Sequence, residues 1–152
     1  MTYNAGLILL CGRNKDRVLL LRDTYTGLWN PPAGRSELVD LKKKNPHFET
    51  MKREFIEETG IMLPYLYDIE HIKPYANTTI YVAKTKTILN LPQDGTLRGD
   101  GENDRWKLIL LQNLMKENKS RKTRLRKCAY EGFMVAYYYG HFKHVKLDNC
   151  GW

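Results

Sequence analysis

Hydrophobic residues near the start of the chain are grouped into short runs. Gly6–Cys11 and Arg17–Arg22 are mainly apolar and are separated by the polar segment 12–16. This pattern is typical of two strands joined by a hairpin. Two later segments, Tyr67–Ile72 and Thr78–Thr85, are also predicted to be strands, the second because it is rich in β-branched residues.

The strongest helix signal lies in the middle of the first half of the chain. A helix is predicted from Pro46 to about Thr59, because Asn45 is a suitable N-cap residue and proline is favoured at the first helical position. Gly60 can adopt the left-handed conformation that ends a helix. A second, largely helical region is predicted from Leu114 to about Tyr139.

The order of these elements predicts the fold class. A long loop, Asn90–Asp104, separates the early strands from a short predicted strand, Trp106–Leu111. Strands, a helix, further strands and a final helix indicate an α/β fold with a mixed sheet between helices. The 152 residues contain no internal repeat and no linker-like segment, so a single domain over 1–152 is predicted.

Charge and cysteine content narrow the function classes. Lys and Arg number 25 against 17 Asp and Glu, a net charge of +8 that favours a polyanionic partner or simply a solvated basic surface. No apolar run approaches the roughly 18 residues of a membrane span, so no membrane association is expected. Three cysteines cannot all pair, which is typical of a reducing, cytoplasmic location.

Three carboxylates share one face of the predicted central helix. Glu54, Glu57 and Glu58 fall within an arc of roughly 100° near its C-terminus. They repel one another and the negative end of the helix dipole, and Arg53 is expected to compensate only one of them, at Glu57. A divalent cation would relieve the repulsion, and oxygen-only ligation favours Mg²⁺ or Mn²⁺. The alternative is a solvated acidic helix end.

The segment around these glutamates resembles the Nudix hydrolases, whose motif reads G-x5-E-x7-R-E-U-x-E-E-x-G-U with U a hydrophobic residue. The second half of the motif is matched at all seven of its fixed positions, which are Arg53, Glu54, Phe55, Glu57, Glu58, Gly60 and Ile61.

The first half of the motif departs from the family pattern. The segment from Trp29 to Glu37 is similar to the W-x-x-P-G-G-x-x-E approach to the helix, with Gly34 as the motif glycine. Asp40 stands where glutamate is expected, and it lies 13 positions before Arg53 instead of 8. Either Asp40 replaces that glutamate across a five-residue insertion, or the glutamate is absent. The lysines of the insertion, at 42–44, could contact a substrate phosphate or be solvated.

The resemblance implies a fold and an activity. The fold would be a Nudix-type α/β/α sandwich, and the activity Mg²⁺- or Mn²⁺-dependent hydrolysis of a nucleoside diphosphate linked to another group. It assigns Glu54, Glu57 and Glu58, together with Gly34, to the metal, and it makes Arg53 an orienting or neutralising residue.

A later acidic loop residue often serves as general base in this family. Glu102 is the candidate here, with Asp104 as an alternative and a plain loop carboxylate as the other interpretation. Gly34, Arg35 and Glu37 are predicted to contact substrate.

Substrate identity is left open by the rest of the chain. The segment Lys119–Lys127, hereafter the basic segment, has six basic residues in nine positions and lies in the second predicted helix. Arg121 and Arg124 are therefore candidate ligands for a capped mRNA 5′ end or other RNA, although a solvated helix face is an equal alternative. Free nucleotides (ADP-ribose, dinucleoside polyphosphates, oxidised dGTP), diphosphoinositol polyphosphates, a non-catalytic RNA-binding domain and a homodimer all remain alternatives.

Overall fold

The computed structural model describes residues 2–152. The strands are β1 (Asn4–Cys11), β2 (Arg17–Asp23), β3 (Trp29–Asn30), β4 (Ala33–Arg35), β5 (Tyr67–Tyr75), β6 (Thr78–Lys84) and β7 (Asn103–Leu110). The helices are α1 (Leu38–Leu41), α2 (Pro46–Thr59), α3 (Leu111–Lys119) and α4 (Lys127–Tyr138).

The strands form one mixed sheet, as the element order predicts. Its main order is β3-β2-β1-β6-β5, while β4 also pairs with β1 and β7 also pairs with β2. The predicted β1–β2 hairpin is present, and its strands are antiparallel. Only β1 and β6 run parallel among the pairs of the described chain.

Alternating side chains of β1 serve two separate cores. Ile8 and Leu10 face the layer formed by α3 and α4, whereas Leu7 and Leu9 face α2. All four side chains are buried, which explains why the strand reads as a continuous apolar run instead of an alternating one. Helices therefore cover both faces of the sheet, and the predicted α/β/α sandwich is confirmed.

Helix α2 has the predicted limits. It starts at Pro46, and Gly60 follows it with φ +76°, the left-handed conformation expected after the last turn. Met51 and Phe55 are buried against the sheet and anchor the helix. Asn45 occupies the N-cap position, but its side chain makes no capping hydrogen bond.

The region from Leu114 to about Tyr139 is largely helical, as predicted, but the prediction that the basic segment lies within a helix is wrong. Helix α3 ends at Lys119 and α4 begins at Lys127, so most of the basic segment is a turn. The turn is held by its uncharged residues: Thr123 and Leu125 are buried, and the Thr123 hydroxyl donates to Glu117 at 2.8 Å. These tertiary contacts override the helical preference of the charged residues.

The loop before β7 ends two residues earlier than predicted. Asn103 and Asp104, which are predicted to lie in that loop, already belong to β7 and pair with β2. The insertion that follows Gly34 contains a four-residue helix, α1, that has no counterpart in the predicted elements. None of the helices in residues 2–152 is long and apolar enough to cross a membrane.

Candidate active site

The three helix glutamates have unequal environments although they share one face of α2. Glu54 and Glu58 are buried, with 8% and 6% of their surface exposed, whereas Glu57 is exposed. The buried side chains of α2 on either side of them, such as Phe55, hold this edge of the helix against the sheet. Two of the three predicted metal ligands are thus part of the interior and not of a solvated helix end.

Arg53 lies among four carboxylates, so the expectation that it compensates only Glu57 is wrong. Its guanidinium nitrogens lie 3.1 Å from Glu54 Oε1, 3.0 Å from Glu57 Oε2 and 3.3 Å from Glu37 Oε1. The shortest of these ion pairs joins Arg53 Nη2 to Asp40 Oδ2 at 2.9 Å. We call Asp40, Glu54, Glu57 and Glu58 the acidic cluster; Arg53 is the common counter-ion of the first three.

Asp40 reaches this cluster through the insertion. Helix α1 carries Asp40 on its inner side, where the carboxylate also accepts hydrogen bonds from the Thr50 hydroxyl at 3.1 Å and the Glu37 N–H at 2.9 Å. Asp40 is only 4% exposed. The structure therefore brings Asp40 to Arg53 across the longer loop.

Glu58 is held by two donors from outside its own helix. The Ala33 N–H donates to Glu58 Oε1 at 2.8 Å, and the Asn103 side-chain amide donates to Glu58 Oε2 at 2.6 Å. Asn103 is itself buried and comes from the start of β7. Asn103 is not predicted as a site residue, because an asparagine in a Gly- and Asp-rich segment is typical of an ordinary loop.

Gly34 is required by a close approach. A Cβ atom at this position would lie 2.1 Å from Glu54 Cδ and 2.4 Å from each of the Glu54 carboxylate oxygens. Any side chain would therefore displace a buried carboxylate. The resemblance assigns Gly34 to the metal; in the structure the group that comes close to this glycine is the carboxylate of Glu54.

Burial dominates the electrostatics of the two inner glutamates. Desolvation raises the pKa of Glu54 to about 7, although the positive charge of Arg53 opposes the shift. Desolvation also raises the pKa of Glu58 to about 8, against the hydrogen bonds from Ala33 and Asn103. Without a cation, the fold thus favours protonation of both carboxyls near neutral pH.

Asp40 and Arg53 behave in the opposite way. Burial by itself would raise the pKa of Asp40, but hydrogen bonds from Arg53 and the Glu37 N–H hold that pKa below its usual value. Burial likewise disfavours the charged guanidinium of Arg53, yet the carboxylates around it raise its pKa. This part of the cluster is a fully ionised pair.

A cleft of about 590 Å³ opens beside Gly34 and Glu54. Glu102, the predicted general base, is exposed and also lines this cleft, as does Arg35. The alternative base, Asp104, instead forms a two-hydrogen-bond ion pair with Arg22, with N–O distances of 2.9 and 3.0 Å. Of the two later-loop carboxylates, only Glu102 faces the cleft.

The remaining predicted substrate residues are less closely associated with the cleft. Glu37 contacts Arg53 at the rim of the acidic cluster and is exposed. Arg121 and Arg124 are exposed and are not among the residues that line the cleft. The basic segment does contribute Arg126 to the cleft, a residue that is not among the predicted substrate ligands.

The donor set fits a hard divalent cation. Every candidate ligand is an oxygen, and Glu54 and Glu58 are buried carboxylates whose charged forms a cation would favour. Within residues 2–152, no group of three or more His, Cys, Asp or Glu side chains already converges as a metal site. Glu57 is turned towards Arg53, so a cation that used this carboxylate would compete with the guanidinium.

Comparison with known proteins identifies the fold. The sequence matches no protein-family model and no curated protein. Among solved structures, an Ap4A hydrolase from C. elegans is 18% identical, with 91% of this chain and 99% of that chain covered and a TM-score of 0.60. A Nudix hydrolase from M. smegmatis is 14% identical over 91% and 85% of the two chains, with a TM-score of 0.65.

A third similar structure was solved with ligands. The bifunctional NMN adenylyltransferase/ADP-ribose pyrophosphatase from Francisella tularensis, complexed with AMP and a Mn ion, is 16% identical. The match covers 90% of this chain and 41% of the Francisella chain, with a TM-score of 0.58. These likenesses extend over nearly the whole of this chain, which therefore has the fold of the Nudix hydrolases, as the motif predicts.

Proposed function

We propose that residues 1–152 form a single Nudix hydrolase domain that cleaves the pyrophosphate linkage of a nucleoside diphosphate joined to another group. The observation that carries this proposal is the pair of buried carboxylates, Glu54 and Glu58, beside Gly34. They stand at the motif positions that the family uses, on a chain with the family's fold. Burying two acidic groups side by side destabilises a bare protein, so a role in binding explains the arrangement better than a role in folding.

The divalent cation would be held by the oxygens of Glu54, Glu57 and Glu58, with the Gly34 backbone nearby. When bound, Mg²⁺ or Mn²⁺ would neutralise phosphate charge and lower the pKa of a bound water. A Mn ion in the similar Francisella structure supports a divalent cation of this kind.

The other site residues act on these ligands or on the substrate. Arg53 holds the acidic cluster together and leaves Glu58 to the donors Ala33 and Asn103. Glu102 is exposed on the cleft, where its carboxylate can take a proton from an attacking water, so we keep it as the candidate general base. Arg35 and Glu37 lie at the rim and are candidates for substrate contact.

Small nucleotides are the first substrate candidates. The similar structures include an Ap4A hydrolase and an ADP-ribose pyrophosphatase, and the cleft volume of about 590 Å³ lies in the range of small-molecule sites. Capped mRNA is the second candidate, because the exposed basic segment could bind an RNA chain.

The three free cysteines fit a reducing, cytoplasmic location.

The test is Mg²⁺-dependent hydrolysis measured across a panel. The panel contains ADP-ribose, Ap4A, oxidised dGTP, capped RNA and a diphosphoinositol polyphosphate, each assayed with Mg²⁺, with Mn²⁺ and with EDTA. Release of a capped nucleotide in preference to the small molecules would favour decapping. No cleavage of any member by a folded protein would contradict the proposal and favour a binding domain.

Glu58→Gln is the matched inactive control. Glutamine keeps the shape of the side chain: its oxygen can still accept from the Ala33 N–H, and after rotation of the Asn103 amide the Asn103 oxygen can accept a hydrogen bond from the glutamine NH2 group. Loss of groups that merely orient a metal ligand costs about 10- to 100-fold, so loss of the ligand itself is expected to cost about 100-fold or more. Near-normal turnover in this variant would remove Glu58 from the metal site.

A further inference from the structure

We infer that Arg126 is a substrate-phosphate ligand at the mouth of the cleft, an inference that rests on the proposed function. Arg126 is the one residue of the basic segment that lines the cleft containing Gly34, Glu54 and Glu102. Its side chain is exposed, and within residues 2–152 the guanidinium makes no hydrogen bond or ion pair.

The backbone that carries Arg126 is held firmly beside the site. The Arg126 N–H donates to the Trp29 carbonyl at 2.9 Å, and the Trp29 N–H donates to the Arg124 carbonyl at 2.8 Å. Between them, buried Leu125 forms a parallel bridge with Trp29. This pairing attaches the basic segment to β3 at Trp29. Trp29 lies only four positions before Ala33, whose N–H donates to Glu58.

The basic segment is also anchored to the end of α3. The Leu125 N–H donates to Asn118 Oδ1 at 2.9 Å, and buried Thr123 is tied to Glu117 by two hydrogen bonds, of 2.8 and 3.0 Å. A guanidinium on such a support can bind a phosphate at a lower entropic cost than one on a mobile loop.

Two acidic side chains that line the cleft explain why a positively charged side chain is needed at its mouth. The carboxylates of Glu54 and Glu102 face the same cleft and would repel a phosphate-rich substrate. A divalent cation can offset this repulsion only at the carboxylates that hold it. Arg126 supplies a fixed positive charge and a planar fork of donors for the remaining phosphate oxygens.

The other arginines of the basic segment serve as internal controls. Arg124 is two positions away, exposed and equally charged, but it does not line the cleft; its candidate contact is with an RNA chain, which inorganic pyrophosphate lacks. An effect of net charge alone would be the same for Arg124→Ala and Arg126→Ala, whereas a phosphate contact would be specific to Arg126.

The experiment measures binding of inorganic pyrophosphate by calorimetry in the presence of Mg²⁺. It compares the wild type, Arg126→Ala, Arg126→Lys and Arg124→Ala at two salt concentrations. Arg126→Ala is expected to raise Kd about tenfold or more, because a charge-assisted hydrogen bond is lost. Arg126→Lys should recover part of the loss, Arg124→Ala should change Kd less than about twofold, and all four thermal midpoints should agree.

Kinetics then separate this inference from the proposed function. With a hydrolysed panel member as substrate, Arg126→Ala should raise KM about tenfold or more and leave kcat within about threefold. Unchanged pyrophosphate binding in Arg126→Ala would overturn the inference, as would equal losses in the Arg124 and Arg126 variants or no binding by the wild type. If no panel member is cleaved but pyrophosphate binding depends on Arg126, the hydrolase proposal fails and the phosphate site stands.

Discussion

The acidic cluster and the basic segment carry opposite charges and are built in opposite ways. In the acidic cluster, Asp40, Glu54 and Glu58 are buried, and every carboxylate has an assigned partner. In the basic segment, the charged side chains are exposed, and the buried groups are the uncharged Thr123 and Leu125.

This difference shows what distinguishes a site from a run of charge. The density of like charge in the sequence is high in both regions, but only the acidic cluster has buried charged groups. Burial there raises the pKa of Glu54 to about 7 and that of Glu58 to about 8. Exposed charges are screened by water and salt and change their surroundings little. Arg126 is the point where the basic segment meets the cleft.

The largest effect on stability is expected from Asp40→Asn, which tests whether the acidic cluster depends on its buried ion pair. Removing the negative charge leaves Arg53 without its closest partner, so the free energy of unfolding at pH 7 should fall by about 2 kcal/mol. Asp40 has a lowered pKa in the fold, so its contribution is present above the unfolded pKa of about 3.9 and is lost as the pH falls through the lower, folded value.

Urea unfolding at pH 7 and pH 3 measures this prediction. The difference between the wild type and Asp40→Asn should shrink at the lower pH. Asp148→Asn is the control, because Asp148 is exposed and forms no ion pair within the described residues; its change should stay within about 0.5 kcal/mol. Equal stability of Asp40→Asn and the wild type at pH 7 would contradict a structural role for the pair.

A smaller effect is expected from the pH dependence of the cation-free protein. The pKa values of Glu54 and Glu58 are raised in the fold, so their contribution is fully present below the unfolded pKa of about 4.3 and is lost as the pH rises through about 7 and 8. In EDTA, the free energy of unfolding should therefore fall by about 1 kcal/mol or more between pH 5.5 and 8.5.

Glu58→Gln sharpens this measurement. The variant cannot ionise at position 58, so its unfolding free energy should decline less over the same pH range. Saturating Mg²⁺ should reverse most of the decline in the wild type, because a ligand that binds only the folded state stabilises it. Parallel pH profiles for the two proteins in EDTA would argue against burial as the source of the shift at Glu58.

The smallest effect is expected from Arg121→Ala. Arg121 is exposed, adopts φ +67° in the turn, and its guanidinium makes no hydrogen bond or ion pair within residues 2–152. The free energy of unfolding should change by less than about 0.5 kcal/mol, and KM for a small nucleotide should stay within about twofold. A large rise in KM would show that the basic segment contacts substrate beyond Arg126 and would weaken the contrast between the two regions.

Local sequence signals were sufficient for several elements. The apolar runs of β1 and β2, the Pro46 start of α2 and the Gly60 stop depend on neighbouring residues, and these elements appear where they are predicted. The fold class follows from their order. By contrast, Lys119–Lys127 has the composition of a helix, but most of it forms a turn because Thr123 and Leu125 are buried. Leu125 pairs with Trp29, a residue distant in the chain, so neighbouring residues do not predict the turn.

The amino-acid sequence by itself determined the fold class, the boundaries of α2 and the shared helix face of Glu54, Glu57 and Glu58. Helical periodicity and local capping are sufficient for these features, because they involve residues within a few positions of one another. Only the tertiary structure decided which of the glutamates are desolvated.

Long-range contacts decided the remaining features of the site. Asp40 reaches Arg53 across 13 positions, and Asn103 reaches Glu58 across 45. Such pairs depend on how the strands and the insertion pack, and residue spacing along one helix or strand carries no information about that packing. The same reason separates Arg126, which meets the cleft, from Arg124, which does not.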